Sequence, residues 1–124
     1  MYFTTSVNDR PYDAIKNGKK ILEGRTISSW DPIDYRLVKI NDVIEFTNSR
    51  AVSSLKVRVL AITHYPSIKE MLNTEEIECL LSSGGTIDDG IVNYNNIPEY
   101  QENVPKFGIY AIRFELIKEK NVQN

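Results

Sequence analysis

The sequence of 124 residues predicts a single α+β domain, a partly closed and mainly antiparallel β-barrel with short flanking helices. Two observations predict this fold class. In the first half of the chain, short stretches of alternating apolar and polar residues follow one another at hairpin-like spacing. Helical patterns are grouped before the last strand, whereas a wound parallel sheet would place helices between successive strands. We expect one domain over 1–120 and a frayed tail over 121–124.

The first half of the chain is predicted to be mostly strand, because it is rich in aromatic and β-branched residues. One helix is expected early, beginning at Asn8 or Asp9 as its N-cap and ending at Gly18. Pro11 falls in its first turn, where proline is tolerated. The strands predicted for this half are 1–6, 20–26, 43–47 and 52–65.

The long strand over 52–65 is predicted to lie at the centre of the sheet. Regular alternation places Val57, Val59 and Ala61 on one face and Leu60 with Ile62 on the other. Apolar residues on both faces are typical of a strand that is buried on both sides.

The second half is predicted to hold short helices and one closing strand. Ser67 and Glu70 have the spacing of a capping box before an apolar helical face. Further helices are predicted over 74–81 and 86–96. Two prolines, Pro98 and Pro105, predict a loop, after which 107–117 has the clearest strand pattern in the chain.

Composition excludes several classes of protein. Apolar residues make up 41% and charged residues 26%, which are ordinary globular values. Cys79 is the only cysteine, so we expect no internal disulfide, and one His with one Cys cannot form a Cys/His zinc site. No metal or other cofactor is expected. Because the sequence shows neither a charged-then-apolar leader nor a long apolar run, we expect a cytoplasmic protein that does not enter the membrane.

Charge is unevenly distributed along the chain. Residues 1–70 contain eleven Lys or Arg against eight Asp or Glu, and residues 71–124 contain four against nine. An acidic total disfavours tight binding to long duplexes but permits a local basic cleft. A nucleotide or a short unpaired RNA segment therefore fits better than duplex nucleic acid.

The most informative segment is the charged run over 18–26. Lys19, Lys20, Glu23 and Arg25 surround Gly24, and a glycine lets a ligand approach the backbone. Convergence of Lys20 with Glu23 requires Lys20 to lie in the turn after the helix, since strand alternation would separate the two side chains. The alternative is a solvent-exposed ion pair that adds little to stability.

Other residues with aromatic or reactive side chains could have either a functional or a structural role. Trp30 and Tyr35 follow the charged run and could stack on an unpaired base, or could simply pack in the interior. His64 has no neighbouring Ser or Asp, so a structural role is favoured. Cys79 lies in an apolar helical stretch and is interpreted as a small core residue.

The run over 11–20 followed by Glu23-Gly24-Arg25 resembles the signature of the ASCH domain family. The segments 40–46, 65–72, 90–94 and 107–116 resemble further parts of that family, so that the resemblance covers nearly the whole chain. It implies a PUA-like fold and binding of RNA or a modified nucleoside in a cleft beside the Gly-Lys-Lys segment.

Some members of that family are amidohydrolases that remove the acetyl group of N4-acetylcytidine with a lysine, a threonine and a glutamate. By resemblance the lysine corresponds to Lys20, and the glutamate to Glu75 or Glu76. The threonine position holds Glu23, which disfavours a covalent route through a hydroxyl. Glu23 could instead act as a general base while Lys20 stabilises the oxyanion, with Thr26 as an alternative hydroxyl.

Three hypotheses follow. The first is a module that binds RNA or a modified nucleoside, with Lys20, Glu23 and Arg25 lining the cleft and Arg25 making two hydrogen bonds to a phosphate or base edge. Lys19, Thr26 and Trp30 are its secondary candidates. The second is an amidohydrolase acting on N4-acetylcytidine or a related amide. The third is a non-catalytic protein-interaction module whose charged run is only a solvated rim.

Overall fold

The computed structural model describes residues 1–48, 50, 54–81 and 84–118, so the expected tail over 121–124 lies outside the described residues. The strands are β1 (Tyr2–Ser6), β2 (Leu22–Arg25), β3 (Val43–Thr47), β4 (Leu55–Tyr65) and β5 (Ile109–Leu116). The helices are α1 (Asp9–Lys16), α2 (Ile68–Thr74), α3 (Ile77–Leu80), α4 (Ile87–Asn95) and α5 (Tyr100–Phe107), with a 3₁₀ turn over Tyr35–Leu37. None of the described helices is long and apolar enough to span a membrane.

Across the described ranges, the five strands form one curled sheet in the order β1-β3-β4-β5-β2. The pairing of β1 with β3 is parallel, and the other three pairings are antiparallel. The α+β class, the mainly antiparallel sheet and the central place of β4 are as the sequence predicts. The curl leaves β1 and β2 as the two free edges of an incomplete barrel.

A bulge in β4 changes which residues share a face. Val59 lies opposite Phe114 and Ala61 opposite Arg113, so that Leu60 is an extra residue in the ladder. The alternation shifts beyond it, and Ile62 instead of Ala61 joins the cluster around Val59. Leu60 is 42% exposed. The prediction that Ala61 shares the face of Val59, and that the strand is buried on both sides, is therefore wrong.

The predicted loop between Pro98 and Pro105 is instead largely helix α5. Tyr100 and Val104 are one helical turn apart and both are buried, so that packing favours the helix. Pro105 falls in the last turn, where its missing N–H removes only one intrahelical hydrogen bond. Because Phe107 belongs to α5, the last strand begins only at Ile109.

The sheet separates two apolar cores. One core fills the inside of the curl and packs against α1, and the other lies between the sheet and the later helices. On β5, Ile112 and Phe114 face the first core, whereas Ile109 and Ala111 face the second. Edge strand β2 is divided in the same way. Its Leu22 packs in the helical core, and Glu23 and Arg25, on the alternate positions, face the inside of the barrel.

Candidate functional site

A cleft of about 370 Å³ opens where the two sheet edges meet the helical layer. One wall comes from the end of β1 and the start of α1, and another comes from α3, α4 and the start of α5. Its charged residues are Arg10, Lys20, Glu23 and Arg25, and its aromatic residues are Trp30, Tyr94 and Tyr100. The volume lies in the usual range for small-molecule sites.

Lys20 and Glu23 meet in this cleft because Lys20 precedes the strand. Gly18 has a φ of +75°, and the N–H groups of Lys19 and Lys20 both donate to the carbonyl of Ala14. This turn frees Lys20 from strand alternation, as convergence with Glu23 requires. Its Nζ lies 3.1 Å from Glu23 Oε1 and also donates to the carbonyl of Leu80 at the end of α3. The ammonium therefore joins the edge strand to the helical layer.

Arg25 is buried and links the two free edges of the sheet. From β2, its Nε donates to Glu23 Oε2 at 2.7 Å, and its Nη2 donates to the carbonyl of Ser6 at the end of β1 at 3.0 Å. Its Nη1 contacts Asp31 Oδ2 at 3.0 Å. Its Nη1 also donates to the Thr5 hydroxyl, so four of the five N–H donors of Arg25 are used within the protein. The two ligand hydrogen bonds predicted for Arg25 are not supported by this geometry, since at most one donor remains.

Asp31 is the second buried carboxylate of the site, and the sequence analysis did not identify it. It accepts hydrogen bonds from the hydroxyls of Thr5 at 2.8 Å and Tyr35 at 2.7 Å, and from the N–H of Ile33. The bond to Ile33 is an Asx-turn, which is the only local signal that marks Asp31. The Tyr35 contact also assigns that ring to the interior, away from any ligand.

The charges of this network balance. Lys20 and Arg25 oppose Glu23 and Asp31, and all four residues are buried. Burial alone would raise the pKa of Glu23, but Lys20 and Arg25 lower it, and the net result lies below its ordinary value of 4.5. Glu23 is therefore ionised at neutral pH and is a weak base.

The outer edge of β2 is covered by two tyrosine hydroxyls. Phe114 N–H donates to the carbonyl of Ile21, so the odd-numbered residues of β2 bond to β5 and the N–H groups of Gly24 and Thr26 point away from it. The Gly24 N–H donates to the Tyr94 hydroxyl and that of Thr26 to Tyr100. A Cβ at Gly24 would lie 2.7 Å from the Tyr94 oxygen, so a side chain there would displace this cap.

The same tyrosines form an aromatic wall with Trp30. The Tyr94 and Tyr100 rings stack at 6.4 Å, and Trp30 stacks on Tyr100 at 6.3 Å. Trp30 is held further by its Nε1 bond to the carbonyl of Pro98 and by the Arg25 guanidinium, 5.7 Å from its ring centroid. Its side chain nevertheless remains 38% exposed, which leaves a fixed aromatic surface at the cleft.

Of the residues proposed from sequence, the cleft gathers Lys20, Glu23, Arg25 and Trp30. The other four do not line it. Lys19 is exposed, and the Thr26 hydroxyl is buried and donates to the carbonyl of Gly108. Glu75 accepts from Tyr65, and Glu76 pairs with Arg113 at 3.0 Å.

His64 and Cys79 also lie away from the cleft. His64 Nε2 contacts the carbonyl of Phe107, and its ring packs on Tyr110 at 4.8 Å, which fits the structural role favoured from sequence. Cys79 is half-buried beside the helical core, and burial raises the pKa of its thiol. Among the residues the structure describes, no group of three or more His, Cys, Asp or Glu is placed to hold a metal ion.

Comparison with known proteins identifies relatives along almost the whole chain. The family model described as "ASCH domain" matches residues 6–118. The crystal structure of hypothetical protein PH0355 is 33% identical, with a TM-score of 0.80, and the match covers 94% of this chain and 100% of that one. Protein PF0455 from Pyrococcus furiosus is 32% identical, with a TM-score of 0.69 and coverage of 96% and 100%.

A more distant likeness shows the fold alone. ASCH from Zymomonas mobilis is 16% identical, with a TM-score of 0.56, and the match covers 96% of this chain and 73% of that one. No curated protein matches the chain.

Replacing Arg25 should destabilise the whole domain. Arg25→Met leaves Glu23 and Asp31 without their shared cation, and we expect the free energy of unfolding in urea to fall by about 3–5 kcal/mol. Arg36→Met is the matched control, since Arg36 forms an exposed pair with Asp34 and should cost under about 1 kcal/mol. Equal losses in the two variants would contradict the assignment of Arg25 as the link between the sheet edges.

Glu23 should make stability depend on acid pH. Its folded pKa lies below the ordinary 4.5, so the stability it supplies is fully present above pH 4.5 and is lost as pH falls through the folded value. Urea unfolding measured from pH 7 to 3 should show that wild type and Glu23→Gln differ in free energy of unfolding by a constant amount above about pH 5.5. This difference should become smaller on acidification. A difference that stays unchanged down to pH 3 would refute the linkage.

Proposed function

The chain belongs to the ASCH domain family, and we propose that it binds an unpaired base of RNA, or a modified nucleoside, in the cleft beside Lys20 and Glu23. Its fold is the PUA-like α+β fold that the sequence resemblance implies. The observation that carries the proposal is the fixed aromatic wall of Trp30, Tyr94 and Tyr100 next to a buried, ionised donor and acceptor pair.

The aromatic wall suits the face of a base. Stacking on an aromatic side chain contributes about 1–3 kcal/mol per base and tolerates any base. Trp30 is already positioned by Pro98, Arg25 and Tyr100, so binding would not have to immobilise it. A fixed ring at the edge of a cleft of about 370 Å³ is complementary to one planar ligand of nucleoside size.

The charged pair suits the edge of a base. Lys20 uses two of its three donors on Glu23 and on the Leu80 carbonyl, which leaves one donor for a ligand acceptor. Each oxygen of Glu23 has a second lone pair that can accept from a ligand amino group. The Lys20 donor and the neighbouring Glu23 acceptor match the acceptor and donor groups on the uncharged edge of a base such as cytosine.

A second candidate is hydrolysis of an N-acylated cytidine, and the 3.1 Å contact of Lys20 with Glu23 in the cleft favours it. Lys20 could stabilise an oxyanion while Glu23 activates a water. Two features weigh against it. The pKa of Glu23 is lowered, which makes it a poor base at neutral pH, and Thr26, Glu75 and Glu76 are engaged outside the cleft.

Loss of the Trp30 ring should weaken ligand binding without unfolding the protein. Trp30 is the only tryptophan, so its fluorescence should report directly on a base that stacks there. We expect the Trp30 fluorescence to be quenched on titration with cytidine or single-stranded RNA. Calorimetry should show that Trp30→Leu binds these ligands about tenfold more weakly than wild type does. Phe107→Leu is the control, because Phe107 is similarly exposed but lies outside the cleft. Absence of binding to every nucleoside and RNA tested would favour the protein-interaction module.

Incubation with N4-acetylcytidine distinguishes binding from hydrolysis. We expect the nucleoside to bind without release of cytidine, since the lowered pKa of Glu23 makes it a poor general base at neutral pH. Chromatography of the reaction over hours measures the product. Turnover by wild type and by Phe107→Leu, but not by Lys20→Met, would instead assign the amidohydrolase activity.

A further inference from the structure

We propose that the base enters the cleft as part of a phosphorylated strand, and that its phosphate leaves along a second groove beside Arg10 and Arg50. This inference rests on the proposed function and extends it to the direction of the strand. The groove lies over the segment that joins β1 to α1 and is lined by residues 6–10, Asn48 and Arg50. We call it the β1–α1 groove.

The interior of the cleft is a poor place for a phosphate. Its two buried cations, Lys20 and Arg25, are already paired with Glu23 and Asp31, so the buried network carries no net charge. A phosphate placed there would face the ionised Glu23 in surroundings of low polarity, where repulsion is strong. A ligand that carries phosphate must therefore direct it out of the cleft.

The β1–α1 groove adjoins the cleft. Both cavities are lined by Ser6, Val7, Asn8 and Arg10, so they share one wall. The groove has a volume of about 660 Å³, which is room for a sugar and phosphate that follow the bound base.

The groove also has the right charge. Arg10 is exposed and, among the described residues, has no hydrogen bond or ion pair. Arg50 pairs with Asp9, and the three groups together leave a net positive charge. Arginine at such a position can approach phosphate oxygens through two donors at once.

The helical side of the cleft offers a phosphate no positive charge. The described residues that line it there are all uncharged: Leu80, Leu81, Asn93, Tyr94, Ile97 and Tyr100. Charge therefore favours the β1–α1 groove over the helical side as the way out for a phosphate.

Salt dependence of RNA binding tests the groove. The probe is a labelled single-stranded RNA of about ten nucleotides, measured by fluorescence anisotropy between 50 and 300 mM salt. Arg10→Gln and Arg50→Gln should each weaken binding several-fold and reduce the slope of log affinity against log salt by about 0.7. Arg58→Gln removes an exposed arginine outside both cavities and should leave the slope unchanged.

Unphosphorylated and singly phosphorylated ligands complete the test. Cytidine should bind wild type and Arg50→Gln equally, because Arg50 lines the groove and not the cleft, whereas cytidine 5′-monophosphate or 3′-monophosphate should bind wild type more tightly than cytidine. Tighter binding of the mononucleotides without any RNA binding would overturn the proposal of a bound strand but retain the phosphate groove. A salt slope that is unchanged in both Arg10→Gln and Arg50→Gln would overturn the groove while the proposed function stands. If wild type binds neither cytidine nor RNA, both proposals fail.

Discussion

The buried guanidinium of Arg25 is the constraint on which the rest of this structure depends. A five-stranded sheet curled into an incomplete barrel, as the described residues show, leaves β1 and β2 as edge strands, each with one side that pairs with no other strand. Arg25 reaches from β2 to the Ser6 carbonyl of β1, while Glu23 and Asp31 balance its charge. A buried cation is tolerated only when it is paired and hydrogen-bonded, so the turn that carries Asp31 and the curl of the sheet are determined together.

Stability and the candidate cleft arise from the same contacts. The tyrosine hydroxyls that cover the outer edge of β2 belong to rings that form the cleft wall. Gly24 leaves room for the Tyr94 hydroxyl, which would lie only 2.7 Å from a Cβ at that position. Lys20 likewise holds α3 against the edge strand while it presents a donor to the cleft. The side chains of the candidate cleft are therefore held in place by contacts within the protein.

Elements whose signals are local were predictable. The Ser67 cap, for example, accepts from the Glu70 N–H, and α2 begins at Ile68 as the spacing indicates. Elements whose form depends on a distant partner were not. The Leu60 bulge exists because β4 pairs with β5 on a curved surface, and α5 persists despite Pro105 because Tyr100 and Val104 pack in the helical core. The hydrophobic periodicity of a single segment predicts neither the bulge nor this helix, because both depend on packing against another part of the chain.

The sequence by itself determined the fold class, the order of most elements and the charged segment that carries Lys20, Glu23 and Arg25, because strand alternation, capping and turn chemistry act over a few residues. Only the tertiary structure decided what each charge does. Asp31 and Ser6 commit Arg25 to the sheet edges, while Thr26, Glu75 and Glu76 turn to partners outside the cleft. Apart from Asp31 and Tyr65, these partners lie at least 19 residues away in sequence. They meet only when the curled sheet and its helices pack, since charge pairing in an interior depends on position and burial.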